Sequence, residues 1–203
     1  AHWRRRSREL LLDCGDGVTL QAFHSIAPSP RTERPLAVLL HGWEGSAQSS
    51  YVLNVGARLL REGWDVFRLN FRDHGGSHHL NREMFHSCRI GEVVGAVGEI
   101  GRRFAERPLA IAGFSLGGNF ALRVGLRAPE AGIEVSKLIA VCPAIHPPSI
   151  LDALESVGLA GAGGIDPVEQ LGNAESETSL PRLRIDPDQA QCQSEEQAGE
   201  ASR

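Results

Sequence analysis

Through the middle of the chain, short apolar runs alternate with segments whose apolar positions recur at helical spacing. Residues 36–40, 65–70, 109–112 and 137–142 are strand-length runs rich in Val, Ile and Leu, bounded by Pro, Gly or charge. Between them, residues 49–61 carry Leu53, Ala57 and Leu60 on one predicted face, with Gly63 closing the helix. Residues 89–106 are the clearest amphipathic helix, with Ile90, Val93, Val94, Val97, Ile100 and Phe104 in register and Pro108 as the stop. A further helix is expected after residue 115, ending near Arg127 before Pro129. Ahead of this alternation, 9–14 and 18–24 predict two strands joined through Gly15-Asp16-Gly17. Strand and helix in alternation imply a mostly parallel sheet with helices on both faces. Ligands of such sheets bind at the carboxyl ends of the strands. His41, Phe71 and Ser115 each stand just after a predicted strand, so one sheet edge gathers them.

The sharpest local signal lies at that edge. Gly113-Phe114-Ser115-Leu116-Gly117-Gly118-Asn119 follows a strand and opens a helix, with serine at the apex of the turn. Strand, tight turn and helix around G-x-S-x-G form a nucleophile elbow. Side chains at the flanking positions would crowd the turn, which makes Gly113 and Gly117 site-shaping residues. His41-Gly42-Trp43-Glu44-Gly45-Ser46 follows the 36–40 strand, and Phe71-Arg72-Asp73-His74-Gly75-Gly76-Ser77 follows the 65–70 strand.

At these residues the chain resembles the α/β-hydrolase superfamily. It is similar to the branch of YheT-type hydrolases and esterases, which includes mammalian membrane-associated lipid hydrolases. The His41–Ser46 segment, Asn70-Phe71-Arg72 with Gly76-Ser77, Phe85-His86-Ser87 and the Ser115 turn occur in the family's order, over about residues 8–153. The resemblance implies an α/β-hydrolase fold, here truncated after about its sixth strand. It also implies hydrolysis of carboxylic esters or acyl lipids through an acyl-enzyme on Ser115, with a small-molecule substrate and no cofactor. The amides of Trp43 and Leu116 would form the oxyanion hole. His41 would orient the oxyanion loop beside Gly42 rather than act as the base.

The rest of the triad is harder to place. In this family an acid and a histidine follow the serine. Of the eight histidines, only His146 comes after Ser115. His146 is therefore the candidate base, weighed against a plain loop histidine; Asp152 and Asp166 are the plausible downstream acids, and Asp152 is the candidate, weighed against a helix-capping aspartate. Beyond residue 155 the likeness ends. Gly158-Leu159-Ala160-Gly161-Ala162-Gly163-Gly164 is low in complexity, and from Asp166 onward nine acidic residues face three arginines with sparse apolar positions. This predicts a hydrolase core over 1–155 and a disordered acidic tail over 156–203, of frame-shifted or spliced origin. The competing reading is a catalytically incomplete remnant or binding module. Acyl transfer to an alcohol is a third, using the same serine chemistry.

Composition narrows the setting. A net charge of −4 over 203 residues indicates no nucleic-acid partner. No apolar stretch reaches the roughly 20 residues of a membrane span. Cys14, Cys88, Cys142 and Cys192 form no C-x-x-C pair, so free thiols in a reducing, cytoplasmic compartment are expected. The basic start is read as a solvated lead-in to the first strand, not as a signal peptide. His74, His78, His79 and His86 crowd one loop without compact zinc spacing, and no metal site is expected. Gly75-Gly76-Ser77 lacks the lysine of a phosphate loop. Glu44 is either a tuning charge or a solvated loop carboxylate. Oligomeric state is left open.

Overall fold

The computed structural model describes residues 3, 7–28 and 34–145. These fall within one unit, Ala1–Ile145. The expected tail over 156–203 lies outside the described residues, as do His146 and Asp152.

Among the described residues six strands form one sheet in the order β1-β2-β4-β3-β5-β6. They are β1 (Arg8–Asp13), β2 (Thr19–Ser25), β3 (Leu36–Leu40), β4 (Asp65–Leu69), β5 (Leu109–Phe114) and β6 (Lys137–Val141). The β1–β2 and β2–β4 pairings are antiparallel, whereas β4–β3, β3–β5 and β5–β6 are parallel. The antiparallel β1–β2 pair follows from the short Cys14–Val18 turn, which can only reverse the chain.

Strand β3 is buried at every position. Its period-two alternation feeds both faces. Leu36, Val38 and Leu40 pack with α2 (Ile90–Arg103) and α3 (Leu116–Arg127), together with Val97, Ile100 and Phe120. Leu39 joins Val66 of β4 against Val52 and Leu60 of α1 (Ser50–Arg61). Helices thus cover both faces, as expected.

The buried stripe of α1 differs from the predicted one. It runs through Val52, Gly56 and Leu60, while Leu53 and Ala57 are half-buried. Gly56 carries no side chain and so leaves no mark in a hydrophobicity pattern. In the fold it brings the helix backbone close to Leu39, Val66 and Trp3.

Two buried polar networks anchor β4. At its start, Asp65 is 1 % exposed and accepts from Arg34 Nε at 3.0 Å, Arg107 at 2.8 Å and the Ala27 amide at 2.8 Å. Towards its end, Arg68 donates to the Ala47 carbonyl at 2.5 Å and lies over the rings of Trp3 and Phe23. Asn70 accepts from the Ala47 amide at 2.6 Å and donates to Gln21 at 2.6 Å. Both backbone groups of Ala47 are therefore held by side chains from β4 and its exit. Cys14 and Cys142 are free thiols, as expected, whereas Cys88 is disulfide-bonded.

Candidate functional site

The chain leaves β3 on one side to form β4, then crosses back to form β5 on the other side. The carboxyl ends of β3 and β5 therefore border a topological switch point, where open α/β sheets leave a crevice. His41 follows β3 there, and Ser115 follows β5.

Ser115 takes φ 52° and ψ −116°, a conformation costly for a residue with a β-carbon. Neighbouring backbone groups hold it. Its amide donates to Val141 O at 2.9 Å, and its carbonyl accepts from the Gly118 and Asn119 amides at 2.9 and 3.1 Å. The hydroxyl is not used in capping α3, and the residue is exposed. Among the described residues no histidine or carboxylate hydrogen-bonds this hydroxyl.

Two glycines make the turn possible. A β-carbon on Gly113 would lie 2.0 Å from Gly117 O, and one on Gly117 would lie 2.4 Å from His41 O and 2.5 Å from Leu40 O. The end of β5, the first turn of α3 and the end of β3 are thus in backbone contact.

The loop after β3 is pinned by its own groups. His41 is fully buried. Its Nε2 accepts from the Phe71 amide at 3.2 Å, which leaves Nδ1–H to donate to Gly42 O at 2.8 Å. Gly42 O also accepts from the Gly45 amide at 3.0 Å, and the Gly42 amide donates to the Tyr51 hydroxyl at 2.9 Å. Because the peptide is planar and trans, a fixed Gly42 carbonyl also fixes the direction of the Trp43 N–H. Among the described residues neither the Trp43 amide nor the Leu116 amide has an acceptor.

Burial pushes the His41 imidazole down to about 4. Both ring nitrogens are engaged, so His41 has no lone pair to offer Ser115. The unfolded chain takes up a proton at His41 below about pH 6.5, while the folded protein resists until about 4. Stability is therefore expected to fall as pH drops through that window, by about 3 kcal/mol in all. His24, lowered by burial against a smaller opposing pull from Asp65, adds in the same direction. Urea midpoints between pH 6.5 and 5, ahead of most carboxylate titration, should fall more steeply for the wild type than for His41→Gln. Equal slopes would remove His41 as the cause.

A cavity of about 380 Å³ opens at Ser115, walled by Trp43, Tyr51, Phe114, Val141 and Cys142. Among the described residues no charged side chain lines it. A larger cavity of about 880 Å³ lies at the amino ends of β5 and β6, between Phe104, Arg107 and Ile133. It is remote from the strand ends where the motifs converge, so the smaller cavity is the candidate site.

The histidine-rich loop is tied inward at one position. His74 bonds the Arg72 carbonyl at 2.7 Å and sets its ring 5.0 Å from that of His41. Arg72 is buried against Glu92 of α2 at 2.6 Å. Among the described residues no group of three His, Cys, Asp or Glu is placed to hold a metal ion. No helix among them is long and apolar enough to cross a membrane. Sequence reasoning missed Tyr51, Arg68 and the grip of Asn70 on Ala47. The Asn70-Phe71-Arg72 motif marked the place without its mechanics, and Tyr51 carried no signal.

Fold and site together define an α/β hydrolase. Residues 35–162 match the family model described as alpha/beta hydrolase fold, and the chain belongs to this family. Among curated proteins it is 28% identical over 118 residues to "Putative esterase YheT" of Escherichia coli (strain K12), covering 58% of this chain and 33% of that protein. It is 30% identical over 134 residues to "Uncharacterized protein RP471" of Rickettsia prowazekii (strain Madrid E), covering 63% and 52%. Among solved structures, Est1E from Butyrivibrio proteoclasticus superposes with a TM-score of 0.56 at 23% identity, covering 70% of this chain and 54% of that one. The Pyrococcus furiosus esterase Pf2001 gives a TM-score of 0.61 at 22% identity, covering 79% and 56%. At such identities the structural likeness shows the fold alone. The chain spans between a third and about half of the length of the curated relatives it matches.

Proposed function

We propose that the chain hydrolyses carboxylic esters or acyl lipids with Ser115 as nucleophile. One observation carries the reading. An exposed serine, held in a strained turn with its hydroxyl unused by the helix, faces a cavity beside two amides that lack acceptors among the described residues. The name of the Escherichia coli relative supports an ester as substrate.

In this reading Ser115 Oγ attacks the acyl carbon and loses its proton to the base. The carbonyl π electrons move to oxygen, where the Trp43 and Leu116 amides stabilise the charge. Collapse expels the alcohol, which leaves with that proton, and the acyl group stays on Oγ. Water then repeats the sequence and releases the acid. His146 and Asp152 are the proposed base and acid. The apolar walls of the cavity suit an uncharged acyl group.

A second reading, a binding module without an active base, draws on one observation. Among the described residues strand β6 forms a sheet edge whose Ile139 and Val141 are 53% and 41% exposed, an apolar border of the kind that seats another element. Intact-mass measurement after treatment with a fluorophosphonate separates the two. One adduct per chain, mapped to Ser115, is expected. A folded sample that takes no adduct would sink the esterase reading in favour of the binding module.

A further inference from the structure

The hydroxyl of Tyr51 is built into the candidate site. It accepts the Gly42 amide at 2.9 Å. A β-carbon on Gly45 would come within 2.6 Å of it, so it sits hard against the loop at both glycines. The ring is set by Phe114, with centroids 5.1 Å apart at 59°. Above Gly42, the point a β-carbon would occupy is 3.5 Å from the Tyr51 oxygen and 3.3 Å from Ser115 Cβ. Hydroxyl and serine therefore flank one small space, on the wall of the 380 Å³ cavity.

A phenol has one proton to donate and lone pairs to accept with. The Gly42 N–H occupies the acceptor side. Among the described residues the Tyr51 O–H donates to nothing, and Tyr51 stands just below two-fifths exposed, at 37%. A donor whose acceptor side is fixed by the protein has its proton aimed rather than free to rotate. Accepting from an amide also makes it a better donor.

We propose that Tyr51 is a catalytic residue, donating its hydroxyl proton in a hydrogen bond to the acyl carbonyl oxygen as that oxygen becomes an oxyanion. It would be a third donor beside the Trp43 and Leu116 amides. The proposal rests on Ser115 being the nucleophile. No proton is transferred: the phenol keeps it and the bond strengthens as charge grows on oxygen.

The test uses the whole chain. Tyr51→Phe removes only the hydroxyl. Turnover of p-nitrophenyl butyrate is expected to drop about 10²-fold in kcat with KM little changed, as for loss of one oxyanion donor. Affinity for a trifluoromethyl ketone, which forms a charged adduct on the serine, should fall by a similar factor. Unchanged kcat and ketone affinity would overturn the proposal. So would a lower kcat with unchanged ketone affinity, which would leave Tyr51 as a prop for Gly42. Tyr51 is the single tyrosine of the chain, so feeding 3-fluorotyrosine modifies this position alone. The fluorinated phenol is a stronger donor of nearly the same size, so it keeps the test open if Tyr51→Phe fails to fold. Its ¹⁹F resonance should move on adding the ketone, and a resonance that stays put would overturn the proposal. Absence of a fluorophosphonate adduct on wild-type Ser115 would overturn the esterase reading together with this one. A normal adduct with wild-type behaviour of Tyr51→Phe would overturn this one alone.

Discussion

Replacing Ser115 with alanine is expected to lower ester turnover about 10⁴- to 10⁶-fold while leaving the fold intact. The size of the loss follows from the role proposed for Oγ: without it no acyl-enzyme forms, and only binding and oxyanion stabilisation remain. The structural half of the expectation follows from geometry. The hydroxyl does not cap α3, and the bonds that hold the turn run through the backbone of Ser115. Alanine keeps those bonds and keeps the strain of φ 52°. Glycine at the same position would keep the bonds and lose the strain. Ser115→Gly should therefore be as inactive as Ser115→Ala yet more stable than the wild type by about 1 kcal/mol, the low end of the cost of such a conformation. Initial rates and urea midpoints on the three proteins check both halves. Turnover by Ser115→Ala within tenfold of wild type would eliminate this serine as the nucleophile. A glycine variant less stable than wild type would show that the turn is not strained against its side chain.

That strain also shows which parts of the molecule a sequence can disclose. Strand β3 is visible as Leu36–Leu40 because every one of its residues is apolar and buried. Helix α2 is visible because Ile90, Val93, Val97 and Ile100 repeat along one face. Glycine and polar residues defeat the same reading. Gly56 lies in the middle of the buried stripe of α1 and has no hydrophobicity to announce it. Arg68 is 1% exposed inside a strand, where its charge argues for a surface position; hydrogen bonds to the Ala47 carbonyl and Ser7 Oγ and the rings of Trp3 and Phe23 account for its burial. Asp65 reads as the polar edge of a strand but holds Arg34 and Arg107 from distant segments. At the site, the Ser115 turn was legible because its glycines fall within five residues of one another. Tyr51 was not. Its partner Gly42 is nine residues away, and their contact exists only after the loop has folded back upon α1.

The glycines of the Ser115 turn lead to the second large effect. Gly113→Ala and Gly117→Ala are each expected to destabilise the protein by about 3 kcal/mol or more, at or beyond the upper end for overpacked positions. The new methyl on Gly113 would fall 2.0 Å from Gly117 O and 2.7 Å from Gly118 N; that on Gly117 would fall 2.4 Å from His41 O. All of these neighbours are backbone atoms, so no side-chain rotation relieves the clash. Relief requires α3 to move away from β3 and β5. That movement would also carry the Leu116 amide away from the loop that presents the Trp43 amide, so activity should fall with stability. Gly101→Ala is the informative contrast. It lies inside α2, and its β-carbon would meet only Leu109 Cδ2, at 3.9 Å. Alanine there should stabilise by about 0.5–1 kcal/mol, because glycine is the poorer helix former and nothing is displaced. Urea denaturation of the three variants at neutral pH decides the matter. If Gly113→Ala or Gly117→Ala unfolded at the same midpoint as Gly101→Ala, the close packing of the helix start against both strand ends could not be what holds Ser115 above the sheet.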